Sequence, residues 1–196
     1  LAAEASRDGN SFYVQNALYE AIKERTVVNE SAIINEMEWA GSGTKNPASQ
    51  GKIDEYNNYQ KIKDMIGDNK VLGVLITHSH FDHIGALRNF LTKRSIKIFK
   101  KSNLEEKEYN IGDFTFKCIY TPGHSADSVT FYFEEEKAMF VGDFIFKGSI
   151  GRCDLPTGDE KKMTESIQKI KTYSGDIEIY NGHGDKTTLK EEIENN

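Results

Sequence analysis

Three of the five histidines of this 196-residue chain lie within one short stretch, LITHSHFDHIG, at residues 75–85. The stretch contains His78, His80, Asp82 and His83. Imidazole and carboxylate groups at this density are typical of a metal site, whereas the alternative, a solvated polar loop, leaves the histidines unexplained. The placement of the remaining histidines decides between these two interpretations.

Each remaining histidine follows a predicted strand and lies in a loop that contains glycine. His124 lies in CIYTPGHSADS and His183 lies in IYNGHGD. Asp143 follows Gly142 near the end of a third predicted strand, in MFVGDFIF. If these strands lie side by side, their loops converge on one edge of a sheet. We therefore expect five histidines and two aspartates to meet there.

This set of side chains is sufficient to bind two metal ions. Imidazole and carboxylate suit Zn²⁺, Fe and Mn²⁺, and no thiolate stands among them to favour a closed structural zinc site. The adjacent Asp82 and His83 do not easily share one ion but can serve two neighbouring ions, and Asp143 can bridge them. Two ions about 3.5–4 Å apart convert a bridging water to hydroxide near neutral pH. The sequence predicts a hydrolytic centre in which Asp82 and Asp143 fix the ion spacing and orient the nucleophile.

The elements that must position these residues alternate between strands and helices. VLGVLIT, residues 71–77, is a continuous apolar run typical of a buried strand. SVTFYFEEEKAMFVGDFIF predicts a hairpin with EEEK at its turn, and residues 159–173 predict a helix. Further predicted strands are SAIIN, SIKIFK, FTFKCIY and DIEIY, and further predicted helices lie at 17–25, 55–69 and 85–94. This order favours an α/β sandwich.

Composition narrows the classes of partner. The net charge is −6, so the protein has no overall positive field that would attract nucleic acid. No apolar run is long enough to span a membrane. The basic stretch KRSIKIFKK is better explained as a strand with exposed lysines than as a binding patch. Two cysteines, Cys118 and Cys153, make no disulfide framework, and the N-terminus lacks the apolar stretch of a signal peptide. We therefore expect a cytoplasmic protein, and the sequence leaves its oligomeric state open.

The motifs resemble those of the metallo-β-lactamase superfamily. THSHFDHIG is similar to the family's H-x-H-x-D-H signature, and TPGHS, VGDFIF and NGHG are similar to its later motifs, in the same order. The resemblance implies one domain with an αββα sandwich fold. It covers residues 58–196, and residues 1–57, with a turn-rich loop at 40–52, form an atypical N-terminal part that lacks the family's D-P-G.

The resemblance also implies a distribution of the ligands between two divalent ions, with zinc expected and iron or manganese as alternatives. The first ion would be bound by His78, His80 and His124. The second ion would be bound by Asp82, His83 and His183. Asp143 would bridge the two ions, and an aspartate at this fourth motif favours the glyoxalase II and lactonase members over the β-lactamases.

A finer resemblance concerns the substrate. GDFIFKGSIGRCDLPTGD, residues 142–159, is similar to a segment of small glyoxalase II-like hydrolases, in which the basic residue at the position of Arg152 contacts the substrate. A guanidinium offers a fixed fork of donors for a carboxylate, although a surface ion pair is the alternative role. The implied reaction is hydrolysis of a small-molecule thioester of the hydroxyacylglutathione type.

Three other functions remain open at this point. A mononuclear iron dioxygenase acting on a persulfide shares the fold, and His78, His124 and Asp143 would supply its two-histidine, one-carboxylate set. A lactonase or ester hydrolase would use the same two-ion centre. A non-catalytic binding protein is the least favoured, because such proteins lose ligands and none is missing here.

Overall fold

A computed structural model of the chain describes residues 31–34, 62, 64–66, 68–84, 87 and 96–196. The helix predicted at 17–25, the loop predicted at 40–52, and most of the helices predicted at 55–69 and 85–94 lie outside these residues. Where the last two helices are described, Ile62, residues 64–66 and Leu87 are helical.

The first sheet is parallel and has three strands. They are β1 (Ser31–Ile34), β2 (Lys70–Leu75) and β3 (Lys97–Phe99), with β2 in the middle. The apolar run predicted to be a buried strand forms β2, and both of its faces are covered: Val71 and Val74 pack on one side, and Leu75 packs on the other. Because β2 is central, the loop at its carboxyl end is anchored on both sides.

The second sheet has six strands. They are β4 (Glu108–Ile111), β5 (Phe114–Tyr120), β6 (Val129–Phe133), β7 (Ala138–Gly142), β10 (Glu178–Asn181) and β11 (Thr187–Thr188). The order is β11-β10-β7-β6-β5-β4, and only β7 and β10 are parallel neighbours. The predicted hairpin is confirmed as β6 and β7, joined by the four residues EEEK.

The prediction that the second strand of this hairpin continues to residue 146 is wrong. β7 ends at Gly142, whose φ of 55° lies in the left-handed region that glycine adopts at low cost. The chain then forms a separate two-stranded hairpin from β8 (Ile145–Phe146) and β9 (Ser149–Ile150). As a result, Asp143 lies at the turn where the chain leaves the six-stranded sheet.

The two sheets pack face to face, which confirms the predicted αββα sandwich. Leu75 and Phe99 of the first sheet share a buried cluster with Phe116, Phe131 and Phe140 of the second. Cys118 belongs to the same cluster, as expected of a small core residue.

Helices cover the outer faces of both sheets. The helices described over their whole length are α1 (Phe81–Ile84), α2 (Glu160–Ile170) and α3 (Leu189–Asn195), and a 3₁₀ turn spans Lys101–Asn103. Met163 and Ile170 of α2 and Leu189 of α3 pack on the second sheet, whereas Ile62 and Ile66 pack on the first. In the part of the chain that the structure describes, no helix is both long and apolar enough to cross a membrane.

Candidate metal centre

The loop that follows β2 turns sharply and directs its histidines inward. The backbone N–H of His83 donates to the carbonyl of His80 at 3.0 Å, which closes the turn at the start of α1. His78 and His83 are each 1% exposed, and their ring centroids lie 4.1 Å apart. Asp82 lies beside them with its side chain 30% exposed.

His124, in the loop between β5 and β6, is held in one orientation by a main-chain carbonyl. Its Nδ1 lies 2.8 Å from the carbonyl oxygen of Arg152. A carbonyl can only accept, so Nδ1 carries the proton and Nε2 carries a lone pair. That Nε2 lies 2.9 Å from Nδ1 of His80. A histidine whose second nitrogen is fixed by such a donation is typical of metal ligands in proteins.

Asp143 and His183 meet because β7 and β10 are parallel and end at the same edge. Asn181 pairs with Gly142 in the ladder, and the backbone N–H of Gly182 donates to the carbonyl of Gly142 at 2.9 Å. A Cβ on Gly182 would lie 2.2 Å from Oδ1 of Asp143 and 2.7 Å from Cε1 of His83. Glycine at position 182 therefore lets the side chains of Asp143 and His83 come together.

The seven predicted ligands form three overlapping groups, and within each group the ligand atoms lie within 4.8 Å of one another. The groups are His78, His80 and His124; His78, His83 and Asp143; and Asp82, His83 and His183. The first and third groups match the two ligand sets implied by the sequence, and the second connects them. The structure therefore brings together every residue that was predicted to bind a metal ion.

The carboxylate of Asp143 lies between the first and third groups. Its Oδ1 lies 3.3 Å from Nε2 of His83, and its Oδ2 lies 3.6 Å from Nε2 of His124. Oδ2 also lies 3.4 Å from Nε2 of His183. The two oxygens therefore face histidines of both groups, which is the placement that a bridging carboxylate requires.

The histidines on the two sides of the site differ in pKa. Burial lowers the pKa of both His78 and His124, so their rings are neutral. Burial opposes the charge on Asp143, yet the neighbouring His83 and His183 hold the pKa of this carboxyl well below its ordinary value. For His183, burial is outweighed by the nearby carboxylates of Asp143 and Asp82, at 3.4 and 3.7 Å, which raise its pKa to about 10.

The residues present fit divalent metal ions. Neutral imidazoles and ionised carboxylates are the forms that bind metals, and the fixed tautomer of His124 directs a lone pair into the cluster. The space left by Gly182 allows the carboxylate and the ring of His83 to approach. Imidazole-rich sites of this kind suit zinc, iron or manganese better than magnesium.

Arg152 lies outside the cluster of predicted ligands. Its guanidinium forms a two-pronged ion pair with Asp154, with both nitrogen–oxygen distances at 2.7 Å, and its side chain is 64% exposed. The predicted contact of Arg152 with substrate therefore stays a prediction. Its carbonyl, which fixes His124, has a second role that the sequence does not reveal, because a main-chain acceptor carries no residue-specific signal.

The model of the metallo-β-lactamase superfamily matches residues 59–109 and 100–183, which is well over half of the chain and includes all seven predicted ligands. This chain belongs to the metallo-β-lactamase superfamily. The prediction of a metal-dependent hydrolase is thereby confirmed at the level of the superfamily.

Two relatives show how the chain compares within the superfamily. The probable metallo-hydrolase YqgX of Bacillus subtilis is 30% identical over 177 residues, which covers 74% of this chain and 82% of the relative. The hydroxyacylglutathione hydrolase GloC of Haemophilus influenzae is 29% identical over 169 residues, covering 70% of this chain and 79% of the relative. The similarity extends over most of both relatives.

Solved structures agree with this assignment. BLEG-1, described as a B3 metallo-β-lactamase, aligns with a TM-score of 0.68 at 29% identity and covers 85% of this chain and 87% of its own. TTHA1623, solved in a di-iron-bound form, aligns with a TM-score of 0.65 at 25% identity, covering 82% of this chain and 91% of its own. Proteins similar to this chain are thus named for more than one activity, as BLEG-1 and the Haemophilus hydrolase show.

Proposed function

We propose that this protein hydrolyses thioesters of the hydroxyacylglutathione type with two divalent metal ions. The observation that carries the proposal is the position of Asp143, whose two carboxylate oxygens face histidines of both ligand groups. A single ion needs only three or four protein ligands, whereas seven converge here. The expected metal is zinc, with iron or manganese as alternatives.

The first ion would be held by His78, His80 and His124, and the second by Asp82, His83 and His183. When bound, the ions supply Lewis-acid polarisation of a carbonyl and lower the pKa of water. Asp143 would bridge the two ions and fix the spacing between the two ligand groups. Asp82 is the more exposed carboxylate, at 30%, and we assign it the hydrogen bond that orients the attacking water.

The reaction consumes one water. Its oxygen adds to the acyl carbon, the carbon–sulfur bond breaks, and the products are a carboxylate and a thiol. Burial of His78 and His83 excludes bulk solvent from one side of the cluster, which strengthens electrostatic effects on the reacting carbonyl. No serine or cysteine nucleophile is needed, since the five histidines belong to the cluster and none remains as a base for one.

The hairpin of β8 and β9 offers contacts for the substrate. Phe146 lies beside the ring of His183, with centroids 6.2 Å apart, and Lys147 follows it. Arg152 stands just after the hairpin with its side chain 64% exposed, where its guanidinium can exchange Asp154 for a substrate carboxylate of the same geometry. An anionic thiol such as glutathione fits these cations. The name of the Haemophilus relative supports this substrate class.

We also propose that the enzyme works in a reducing compartment such as the cytoplasm. Cys118 and Cys153 are both free thiols. Cys118 is buried, and burial raises its pKa to about 12, which makes it a poor nucleophile.

The decisive experiment combines metal analysis with a substrate panel. Protein purified without added metal is measured for bound zinc, iron and manganese, and then titrated with each metal. S-lactoylglutathione, a neutral lactoyl thioester and a lactone are compared at equal metal loading. We expect two ions per chain and the highest kcat/KM for S-lactoylglutathione.

Two results would contradict the proposal. A limit of one tightly bound ion, with oxygen consumed in the presence of glutathione persulfide, would indicate the dioxygenase. A higher kcat/KM for the lactone than for both thioesters would indicate a lactonase.

A further inference from the structure

The first ligand group combines residues from the two different sheets. His78 and His80 lie in the loop after β2 of the three-stranded sheet, whereas His124 lies in the loop after β5 of the six-stranded sheet. Nδ1 of His80 and Nε2 of His124 lie 2.9 Å apart across this boundary. The distance between the two loops therefore sets the spacing of the ligand atoms.

Asp127 contacts both loops. The hydroxyl of Ser125 donates to Oδ1 of Asp127 at 2.8 Å, and the side chain of Ser79 also forms a hydrogen bond with this carboxylate. Ser125 directly follows His124, and Ser79 stands between His78 and His80. Asp127 thus connects the immediate neighbours of all three ligands in the first group.

The direction of the hydrogen bonds around Asp127 is determined by their chemistry. An ionised carboxylate only accepts, so Ser125 uses its one proton on Asp127. Ser125 is buried, and its oxygen lies 2.8 Å from the hydroxyl of Ser128, which must then be the donor. Burial opposes the charge on Asp127, but the bonds from Ser79 and Ser125 lower its pKa and keep it ionised.

A main-chain bond next to Asp127 reinforces the same connection. The backbone N–H of Val129 donates to the carbonyl of Thr77 at 2.8 Å, again joining the β5–β6 loop to the end of β2. This bond joins the two backbones at Thr77 and Val129. Asp127 adds a side-chain connection closer to His80 and His124, through Ser79 and Ser125.

We propose that Asp127 is a positioning residue that holds the two loops at the spacing the first metal ion requires. It touches neither substrate nor metal and acts through Ser79 and Ser125. The inference rests on the proposed metal centre but not on thioester hydrolysis. It predicts that loss of Asp127 weakens binding of the first ion while the fold is retained.

Binding of Co²⁺ to metal-free protein tests this role without an activity assay. The visible absorption of bound Co²⁺ reports ligand geometry, and a competing chelator gives the dissociation constant. We expect Asp127→Ala to lower the affinity for the first Co²⁺ ion by about 10–100-fold, as is typical when a residue that supports metal ligands is removed. The absorption spectrum should change as well. Asp127→Asn keeps the shape but replaces one accepting oxygen by a donor, so its effect is smaller.

Ser79→Ala completes the design, because the side chain of Ser79 is exposed and its removal leaves no buried cavity. Alone it should weaken Co²⁺ binding less than Asp127→Ala does. Combined with Asp127→Ala it should add nothing, since both changes break the same connection. Ser79→Ala and Asp127→Asn also provide the test if Asp127→Ala does not fold.

Asp176→Asn is the matched control. Asp176 accepts a hydrogen bond from Ser174 at 2.6 Å, the same Ser-x-Asp contact, but it precedes β10, whereas His183 follows the other end of that strand. The Asp176→Asn variant should bind Co²⁺ with the same affinity as the unaltered protein. First-ion affinities of Asp127→Ala and Asp127→Asn within about threefold of the unaltered protein, with an unchanged spectrum, would overturn the inference alone. Failure of the unaltered protein to bind Co²⁺ would overturn the proposed metal centre as well.

Discussion

At the scale of single residues, the two sides of the site depend on one carboxylate. Asp143 faces His83, His124 and His183, so its removal disturbs both ligand groups. We expect Asp143→Ala to reduce the bound metal and to lower kcat/KM for a thioester by more than about 100-fold, beyond the usual loss for residues that only support ligands. Metal analysis and steady-state kinetics on the same preparation measure both effects.

Arg152→Ala is the natural comparison, because Arg152 is exposed and already paired with Asp154. The variant removes the proposed substrate contact and the ion pair with Asp154 but no predicted metal ligand, so metal content should not change and kcat/KM should fall by about tenfold or less. Its carbonyl is retained in the variant and still fixes His124. Equal losses of activity in both variants, with metal content unchanged in both, would show that the assigned roles are wrong.

Proton release distinguishes the two ligand groups. Before metal binds, His183 has a pKa of about 10 and is protonated at neutral pH, whereas His78 and His124, with lowered pKa values, are already neutral. An ion that uses His183 must displace its proton, so the metal affinity of the third group, Asp82, His83 and His183, rises with pH through the neutral range. His78 and His124 release none.

Calorimetric titrations with metal, in buffers of different ionisation enthalpy, measure this release. We expect about one proton for the ion that binds at the third group, Asp82, His83 and His183. His183→Ala should abolish it while leaving the first binding event in place. A release that is the same for both ions, or unchanged in His183→Ala, would contradict the assignment.

The sequence was informative about ligands and uninformative about their support. The joint placement of five histidines and two aspartates in strand-end loops indicated a metal site, and all seven predicted ligands came together. The carbonyl of Arg152 and the close approach at Gly182 depend on long-range contacts that no local pattern encodes. Asp127 was missed for a related reason: a single carboxylate in a polar loop looks the same whether it faces solvent or joins two sheets.

At the scale of elements, α2 supports the loop that carries His124. The backbone N–H of Asp159, the N-cap of α2, donates to the carbonyl of Gly123 at 2.8 Å, and the hydroxyl of Ser166 donates to that of Pro122 at 2.7 Å. Met163 approaches so closely that a Cβ on Gly123 would lie 2.5 Å from its Cα. The helix therefore fixes the loop from its outer side.

Met163→Ala should destabilise the protein and loosen this loop. Met163 is 2% exposed, and truncation of such a side chain costs about 2–5 kcal/mol of unfolding free energy. Urea denaturation of the metal-free protein measures the loss. Glu165→Ala, an exposed position on the same helix, is the control and should stay within about 0.5 kcal/mol. Equal stability of the two variants would show that α2 does not depend on this contact.

Elements with a regular spacing of apolar residues were predictable from the sequence, and very short elements were not. The alternation in FTFKCIY and the apolar positions of α2 matched the structure. β8, β9 and β11 have two residues each, too few for any period, and they form because neighbouring strands offer backbone partners. α3 was not predicted either, and it begins where Thr188 accepts a hydrogen bond from the N–H of Glu191.

At the scale of the whole molecule, the metal centre lies where the two sheets meet. Four predicted ligands follow β2 of the first sheet, and three follow strands of the second. Ions bound to both sets would connect the sheets in addition to the shared apolar cluster. Metal binding should therefore stabilise the sandwich as a unit.

This coupling predicts that thermal stability depends on free metal. A ligand that binds only the folded state adds about 2.7 kcal/mol at a concentration 100 times its dissociation constant. For a chain of this size each kcal/mol raises the melting temperature by about 2–4 °C, so about 5–10 °C is expected for one ion.

Calorimetry at buffered Zn²⁺ concentrations measures the shift, and hydrogen exchange shows where it acts. Protection should increase at β2 as well as at β7 and β10, because ligands follow all three strands. Mg²⁺ at the same concentrations should have little effect, since it prefers oxygen ligands. In Asp143→Ala the dependence on Zn²⁺ should weaken. A melting temperature that does not change with Zn²⁺, or protection confined to the six-stranded sheet, would show that the ions do not join the two halves of the sandwich.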